Sequence, residues 1–242
     1  MADKIFSLKD KRIVVTGGKG PLGTVLNRIF RESEACVINA DVIDDPQDEY
    51  YFKGDISDSL HADALIKFAA EKMGGIDALV NAAANSRLHF AEDMSDAEWA
   101  ITVQTSLYGA FYCCRAALPY LKDSKGAVVN VGSIAALIGL PRGTTHHSAA
   151  KAGLIGMTRS LAVEWGKYGI RVNAIAPGQF LSPGMQEMLK NKAYRDDILH
   201  HIPLRRVGEI EEIAACIQFL LSDASSYVNG HTLVADGGAT IM

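Results

Sequence analysis

A chain of 242 residues, 48% of them apolar, is long enough to bury one sizeable core, and α/β folds of this length are commonly single domains. The formal charge of −4 comes with no long Lys/Arg run, which excludes an electrostatic footprint for nucleic acid or an anionic membrane and leaves small molecules or further copies of the chain as expected partners. No apolar run has the length of a signal peptide or a membrane span, so a cytoplasmic protein is expected.

Residues 12–16, RIVVT, read as a short strand, followed by the turn TGGKGPLG and an amphipathic helix, VLNRIFRES. Gly17, Gly18, Gly20 and Gly23 permit positive φ and close backbone approach, so the free N–H groups and dipole of the helix N-terminus can receive a pyrophosphate. A second strand, ACVINAD, ends at Asp41, where a dinucleotide fold sets a carboxylate against the adenosine ribose. A carboxylate there accepts from a 2′-hydroxyl and repels a 2′-phosphate. With no Arg or Lys in the following IDDPQDEYY, NAD is predicted over NADP.

YYFKGDIS supplies a third strand and a turn, with Asp55 and Ile56 set to meet an adenine ring. HADALIKFAAEKMGG is a helix stopped by paired glycines, and IDALVNAAAN is a buried strand entering a small-residue turn. Residues 95–123 read as a capped helix followed by a long, nearly all-apolar one, and KGAVVNVGS is a fifth strand. The helix AAKAGLIGMTRSLAVEWGKYG is likewise apolar on several sides. Helices of this kind need cover beyond their own sheet, so these two are predicted to form a subunit interface.

IRVNAIAPG is the sixth strand. The segment around 180–205 breaks the strand–helix rhythm and is predicted to be a substrate lid. EIEEIAACIQFLLSD and HTLVADGG close the chain as helix and strand. Cys36, Cys113, Cys114 and Cys216 have neither disulfide nor metal-site spacing and are expected to be apolar fillers; no metal is predicted.

Between the fifth strand and the second apolar helix, SIAALIGLPRGTTHHSAAK carries Ser133, His146, His147 and Lys151 at the spacing of a proton-transfer site. Arg87 and His89 follow the fourth strand and Arg142 the fifth, on loops at the sheet edge where ligands bind. They are candidate contacts for a substrate, the arginines for an anionic group.

Taken in order, these motifs resemble the short-chain dehydrogenase/reductase family, in its compact single-domain branch, over essentially the whole chain. The resemblance implies an α/β fold, a Rossmann-type doubly wound parallel sheet of about seven strands, with a nicotinamide cofactor and a homotetramer or homodimer. It also implies that Thr16, Gly17, Gly18, Gly20, Leu22 and Gly23 form the cofactor loop, with Asn81, Ala82 and Ala83 in the neighbouring turn. Ser133 then binds the substrate oxygen and Lys151 holds the nicotinamide ribose. Pro177, Gly178 and Ser182 flank the nicotinamide, and Ser106 stands where an asparagine of the proton relay is usual.

Two departures bear on chemistry. Pro21 occupies a glycine position of the loop, which suits the first turn of a helix. His147 stands four residues before Lys151, where the family carries its acid/base tyrosine. Beside Lys151 and a positive nicotinamide the imidazole is expected to be neutral and a better base than acid, which favours oxidation of a secondary alcohol over reduction of a ketone. His146 is the alternative proton carrier. A site altered at this position by nature or by design, binding cofactor without turnover, and a non-redox reaction in the same pocket stay open at this level.

Overall fold

The computed structural model describes residues 5–85 and 87–242. Seven parallel strands lie in the order β3-β2-β1-β4-β5-β6-β7: β1 Arg12–Thr16, β2 Cys36–Asp41, β3 Tyr51–Lys53, β4 Ala78–Asn81, β5 Ala127–Val131, β6 Arg171–Pro177 and β7 Thr232–Ala235. Parallel neighbours require crossovers, and α1 (Pro21–Glu32), α2 (Ser59–Met73), α4 (Ala110–Ser124), α5 (Thr145–Trp165) and α8 (Ile210–Leu221) supply all but the β2–β3 connection, which is a loop. The strand order reverses between β1 and β4, and the crevice beyond their carboxyl ends is where a ligand is expected.

Period-2 alternation divides the strand residues between two cores. Val14, Ile38, Leu79 and Val128 pack with Leu65, Cys113, Leu161 and Trp165 on the α2, α4 and α5 side. Their neighbours Ile13, Val15, Val37, Val80 and Val129 pack with Leu26, Phe30, Ile213 and Ile217 on the α1 and α8 side. Both faces are therefore covered, which is why these strands read as continuous apolar runs.

At the amino edge of the sheet, Asp77 accepts from the Arg12 backbone N–H and from Nε and Nη2 of its guanidinium, each at 2.8 Å. Burial alone would raise the Asp77 carboxyl, but the Arg12 hydrogen bonds outweigh it and hold it below its ordinary value of 3.8. This contribution to stability is present above the unfolded-state value and is lost as pH falls through the lower folded-state value. Asp77→Ala leaves a half-buried guanidinium without its acceptor; we expect it to cost about 2–3 kcal/mol at pH 7, read by urea unfolding.

Two elements differ from their sequence expectations. The first helix begins at Pro21, earlier than the apolar pattern indicated, because proline is accommodated at a first helical position where no N–H is needed. The segment expected as two helices runs on through a π-turn, Gln104–Gly109, that joins α3 (Asp96–Val103) to α4. The predicted cap is Ser95, in a reciprocal capping box with Glu98.

All four cysteines are free. Cys113 and Cys114 are core residues, and burial pushes both thiols up, Cys114 to about 12. Cys114 is more than filler, since its Sγ receives the Asn81 amide at 3.3 Å. Cys36 and Cys216 are half-buried. Among the described residues, no helix is long and apolar enough to cross a membrane.

Candidate active site

A cavity of about 520 Å³ opens at the carboxyl edge of the sheet, over the point where strand order reverses. One side is the turn between β1 and α1. Gly17 holds φ at +73°, and a Cβ on Gly23 would stand 2.1 Å from the Gly17 carbonyl oxygen, so loop and helix meet at a distance only glycine permits. No side chain caps the N-terminus of α1 and no acid occupies its first turn. Such a cradle fits a pyrophosphate, with N–H groups and dipole directed at it.

Gly17, Gly20, Leu22, Gly23, Ala82 and Ala83 line this wall. Thr16 and Gly18 lie behind it. The Thr16 hydroxyl oxygen accepts from the Ala82 and Ala83 N–H groups at 3.2 and 3.3 Å, and Gly18 packs against the Asn39 side chain. Both were expected in the cofactor loop; the glycine turn folds down onto the strand ends and sets them beneath the lining residues.

Asp41, Asp55 and Ile56 line the far end of the cavity, where the adenosine half was expected. The Asp41 carboxylate accepts from the backbone N–H of Lys19 at 3.0 Å and of Ile43 at 3.2 Å. Sequence reasoning missed Lys19 itself, which the turn carries from the glycine loop to the end of β2. The signal was its place inside TGGKGPLG.

At the other end Ser133, His147 and Lys151 line one cavity, with Pro177, Gly178 and Ser182 nearby. Ser133 follows β5, and its Oγ accepts from the Ala135 N–H at 3.1 Å, leaving its proton to donate outward. His147 and Lys151 stand one turn apart on α5, so the helix presents both on one face. The Lys151 ammonium donates to the Val131 carbonyl at 2.6 Å, and burial pushes it down to about 8. Burial, reinforced by the Lys151 ammonium close by, pushes the His147 imidazole down to about 4, so the ring is neutral at pH 7. Its Nδ1 is buried without a hydrogen-bond partner, which leaves Nε2 as the nitrogen available to a substrate.

A buried polar ladder positions α5. Asn81 Nδ2 donates to Asn130 Oδ1 at 2.8 Å, Asn130 Nδ2 donates to Thr158 Oγ1 at 2.9 Å, and Thr158 donates to the Leu154 carbonyl. Asn81 is therefore a buried tie between β4, β5 and α5 and does not face the cavity. Ser106 is also buried, its Oγ unpartnered, while its neighbour Thr105 lines the cavity. The π-turn sets which of the two points outward.

His146 faces away from the cavity into the protein, because adjacent helical residues diverge by about 100° around the axis. Neither arginine nor His89 lines the cavity. Arg142 is held by Asp197 at 3.3 Å and lies over the Tyr194 ring. His89 Nε2 lies 2.9 Å from the Glu98 carboxylate, and Arg87 is exposed. Lys151 is the only Lys or Arg among the described lining residues. Ile101 and Phe180, which no motif marked, add apolar surface to the cavity lining.

The family model described as enoyl-(acyl carrier protein) reductase matches residues 29–240. The chain is 35% identical to the 3-oxoacyl-[acyl-carrier-protein] reductase of Thermotoga maritima, over 97% of this chain and 99% of the relative. It superposes with a TM-score of 0.88, at 33% identity, on a structure from Brucella melitensis described as a short-chain dehydrogenase/reductase, glucose/ribitol dehydrogenase, covering 96% and 97% of the two chains. A gluconate 5-dehydrogenase from Burkholderia cenocepacia, solved with NADP and tartrate, gives a TM-score of 0.92 at 25% identity over the full length of both chains. With the family model matched over residues 29–240 and a relative 35% identical over 97% of this chain, the chain belongs to the short-chain dehydrogenase/reductase family.

Proposed function

We propose that this chain is an NAD-dependent oxidoreductase that transfers hydride between nicotinamide and a secondary alcohol or ketone. The observation that carries the reading is the convergence of Ser133, His147 and Lys151 on the cavity that also holds the glycine cradle and Asp41. When bound, the nicotinamide supplies or accepts the hydride at its C4. Ser133 donates a hydrogen bond to the substrate oxygen. His147 Nε2 takes the hydroxyl proton during oxidation, and the Lys151 ammonium holds the nicotinamide ribose. Asp41 accepts from the adenosine 2′-hydroxyl.

The apolar share of the cavity lining, with Lys151 the only Lys or Arg among the described lining residues, supports a neutral, largely apolar group around the reacting carbon. Relatives that act on acyl thioesters make these the first substrates to screen. The segment 180–205, whose helices α6 (Pro183–Met188) and α7 (Lys192–His200) meet in a small cluster of Met185, Ile198, Ile202 and Val207, is the lid in this reading. Self-association through α4 and α5 belongs to it too, supported by the exposure of Phe111 and Val163.

The test is turnover of NAD⁺ with 3-hydroxyacyl thioesters and secondary alcohols as a function of pH. Oxidation requires neutral His147 and charged Lys151. The expected kcat/KM profile is a bell, rising near pH 4 and falling near pH 8. A rate that goes on climbing toward pH 10 would assign the proton to another group.

A second reading, a nicotinamide-binding protein without turnover, draws support from one observation. His147 Nδ1 has no acceptor among the described residues to orient the ring, as a general base of this type normally has. NADH binding with no turnover of any substrate in the screen is its expected outcome.

A further inference from the structure

We infer, resting on the nicotinamide-cofactor reading above, that Asp45 is a positioning residue for cofactor choice, holding the Lys19 ammonium away from the ribose 2′ position beside Asp41. The Lys19 backbone touches Asp41, whose carboxylate receives its N–H at 3.0 Å. Its side chain turns elsewhere, with Nζ on the Asp45 carboxylate and 5.3 Å from the centre of the Tyr51 ring. Tyr51 is fixed in turn by its hydroxyl, which donates to the Ile43 carbonyl.

The pair is about two-thirds buried, Lys19 being 32% and Asp45 29% exposed at the side chain. Asp41 and Val42 line the cavity, whereas neither Lys19 nor Asp45 does. Of the other charged groups here, Lys53 is engaged by Asp44 at 3.1 Å. Lys19 is thus neutralised by Asp45 and Lys53 by Asp44, so Asp41, with Asp55 at the same end of the cavity, supplies the net negative charge at the ribose end.

A 2′-phosphate arriving there meets that charge uncompensated, while a 2′-hydroxyl meets an acceptor. A lysine stem is long and flexible enough to swing from Asp45 toward the cavity while its backbone stays put. Removing the Asp45 charge frees the ammonium to offset Asp41 and pair with the phosphate. Discrimination in this chain therefore depends on an ion pair outside the cavity as well as on the carboxylate inside it.

Fluorescence titrations with NADH and NADPH test this without requiring turnover. The unmodified chain is expected to bind NADH more tightly. Asp45→Asn is expected to tighten NADPH about tenfold, equivalent to ~1.4 kcal/mol, with NADH changed less than about twofold. Asp45→Glu restores the original preference, and Lys19→Met in the Asp45→Asn background abolishes the gain, which a merely structural effect of the substitution would not do. An Asp45→Asn chain with unchanged NADPH affinity overturns the inference, as does a gain that survives Lys19→Met. An unmodified chain that prefers NADPH and loses that preference on Lys19→Met overturns it while leaving the nicotinamide reading intact. Failure of every variant to bind either dinucleotide overturns both.

Discussion

His147→Ala is expected to lower kcat/KM for alcohol oxidation at pH 7 by ~10²–10⁴-fold, the usual contribution of a positioned general base, while NADH affinity stays within about twofold. The separation follows from the geometry. Ser133 is held by the Ala135 N–H and Lys151 by the Val131 carbonyl, so both keep their places when the imidazole is gone. Removing the ring also relieves Lys151 of a buried neighbour without touching its carbonyl acceptor. The companion variant His147→Tyr restores a hydroxyl whose ordinary pKa is about 10, and its pH optimum is expected to move upward. Turnover that survives in His147→Ala would remove His147 from the mechanism. Activity seen only in His147→Tyr would establish the second reading, a cofactor site whose proton carrier is missing. Steady-state kinetics and NADH titration on the three proteins separate these results.

Gly23→Ala is expected to abolish dinucleotide binding, weakening NADH by about 100-fold or more, and to lower stability by ~1–3 kcal/mol through overpacking. The added Cβ would stand 2.1 Å from the Gly17 carbonyl oxygen and 2.8 Å from the Gly18 Cα, and both obstacles are backbone. The turn cannot retreat easily. A Cβ built on Gly17 is itself 2.8 Å from the Ala83 Cα, so the loop is already pressed against the end of β4. Relief must come from lifting the loop away from the cradle that fits the pyrophosphate. Calorimetry should show a fall of roughly 2–10 °C in Tm, and fluorescence titration the loss of affinity. A Gly23→Ala protein that binds NADH normally would mean that the pyrophosphate lies elsewhere.

The doubly wound sheet was legible because its signals are local and repeated: β-branched runs, a glycine turn, then amphipathic helices, alternating except between β2 and β3 and in the 180–205 segment. The glycine wall of the cavity was legible for the same reason, since close approach of loop and helix demands glycine at fixed positions. What escaped depends on contacts between distant segments. Lys19 reaches Asp45 across 26 positions, and no window around Asp41 contains it. Arg142, expected to meet an anionic substrate group, instead stands against Asp197 on α7 and outside the cavity lining. Asn81 and Ser106 were expected near the chemistry by position in the chain. Their burial follows from side-chain direction, which for Ser106 depends on a π-turn that departs from ordinary helical spacing.

The ladder from Asn81 through Asn130 to Thr158 fixes α5 from below, and Lys151 fixes it from the sheet. None of these ties passes through the side chain at 147. That position behaves as a socket, whose placement is guaranteed by its surroundings and whose occupant is free to vary. Histidine and tyrosine codons differ by a single base, so one mutational step exchanges an imidazole for a phenol within an unchanged frame. In the proposed mechanism, a change of reaction direction or pH range is then expected from one substitution, with no rebuilding of the fold.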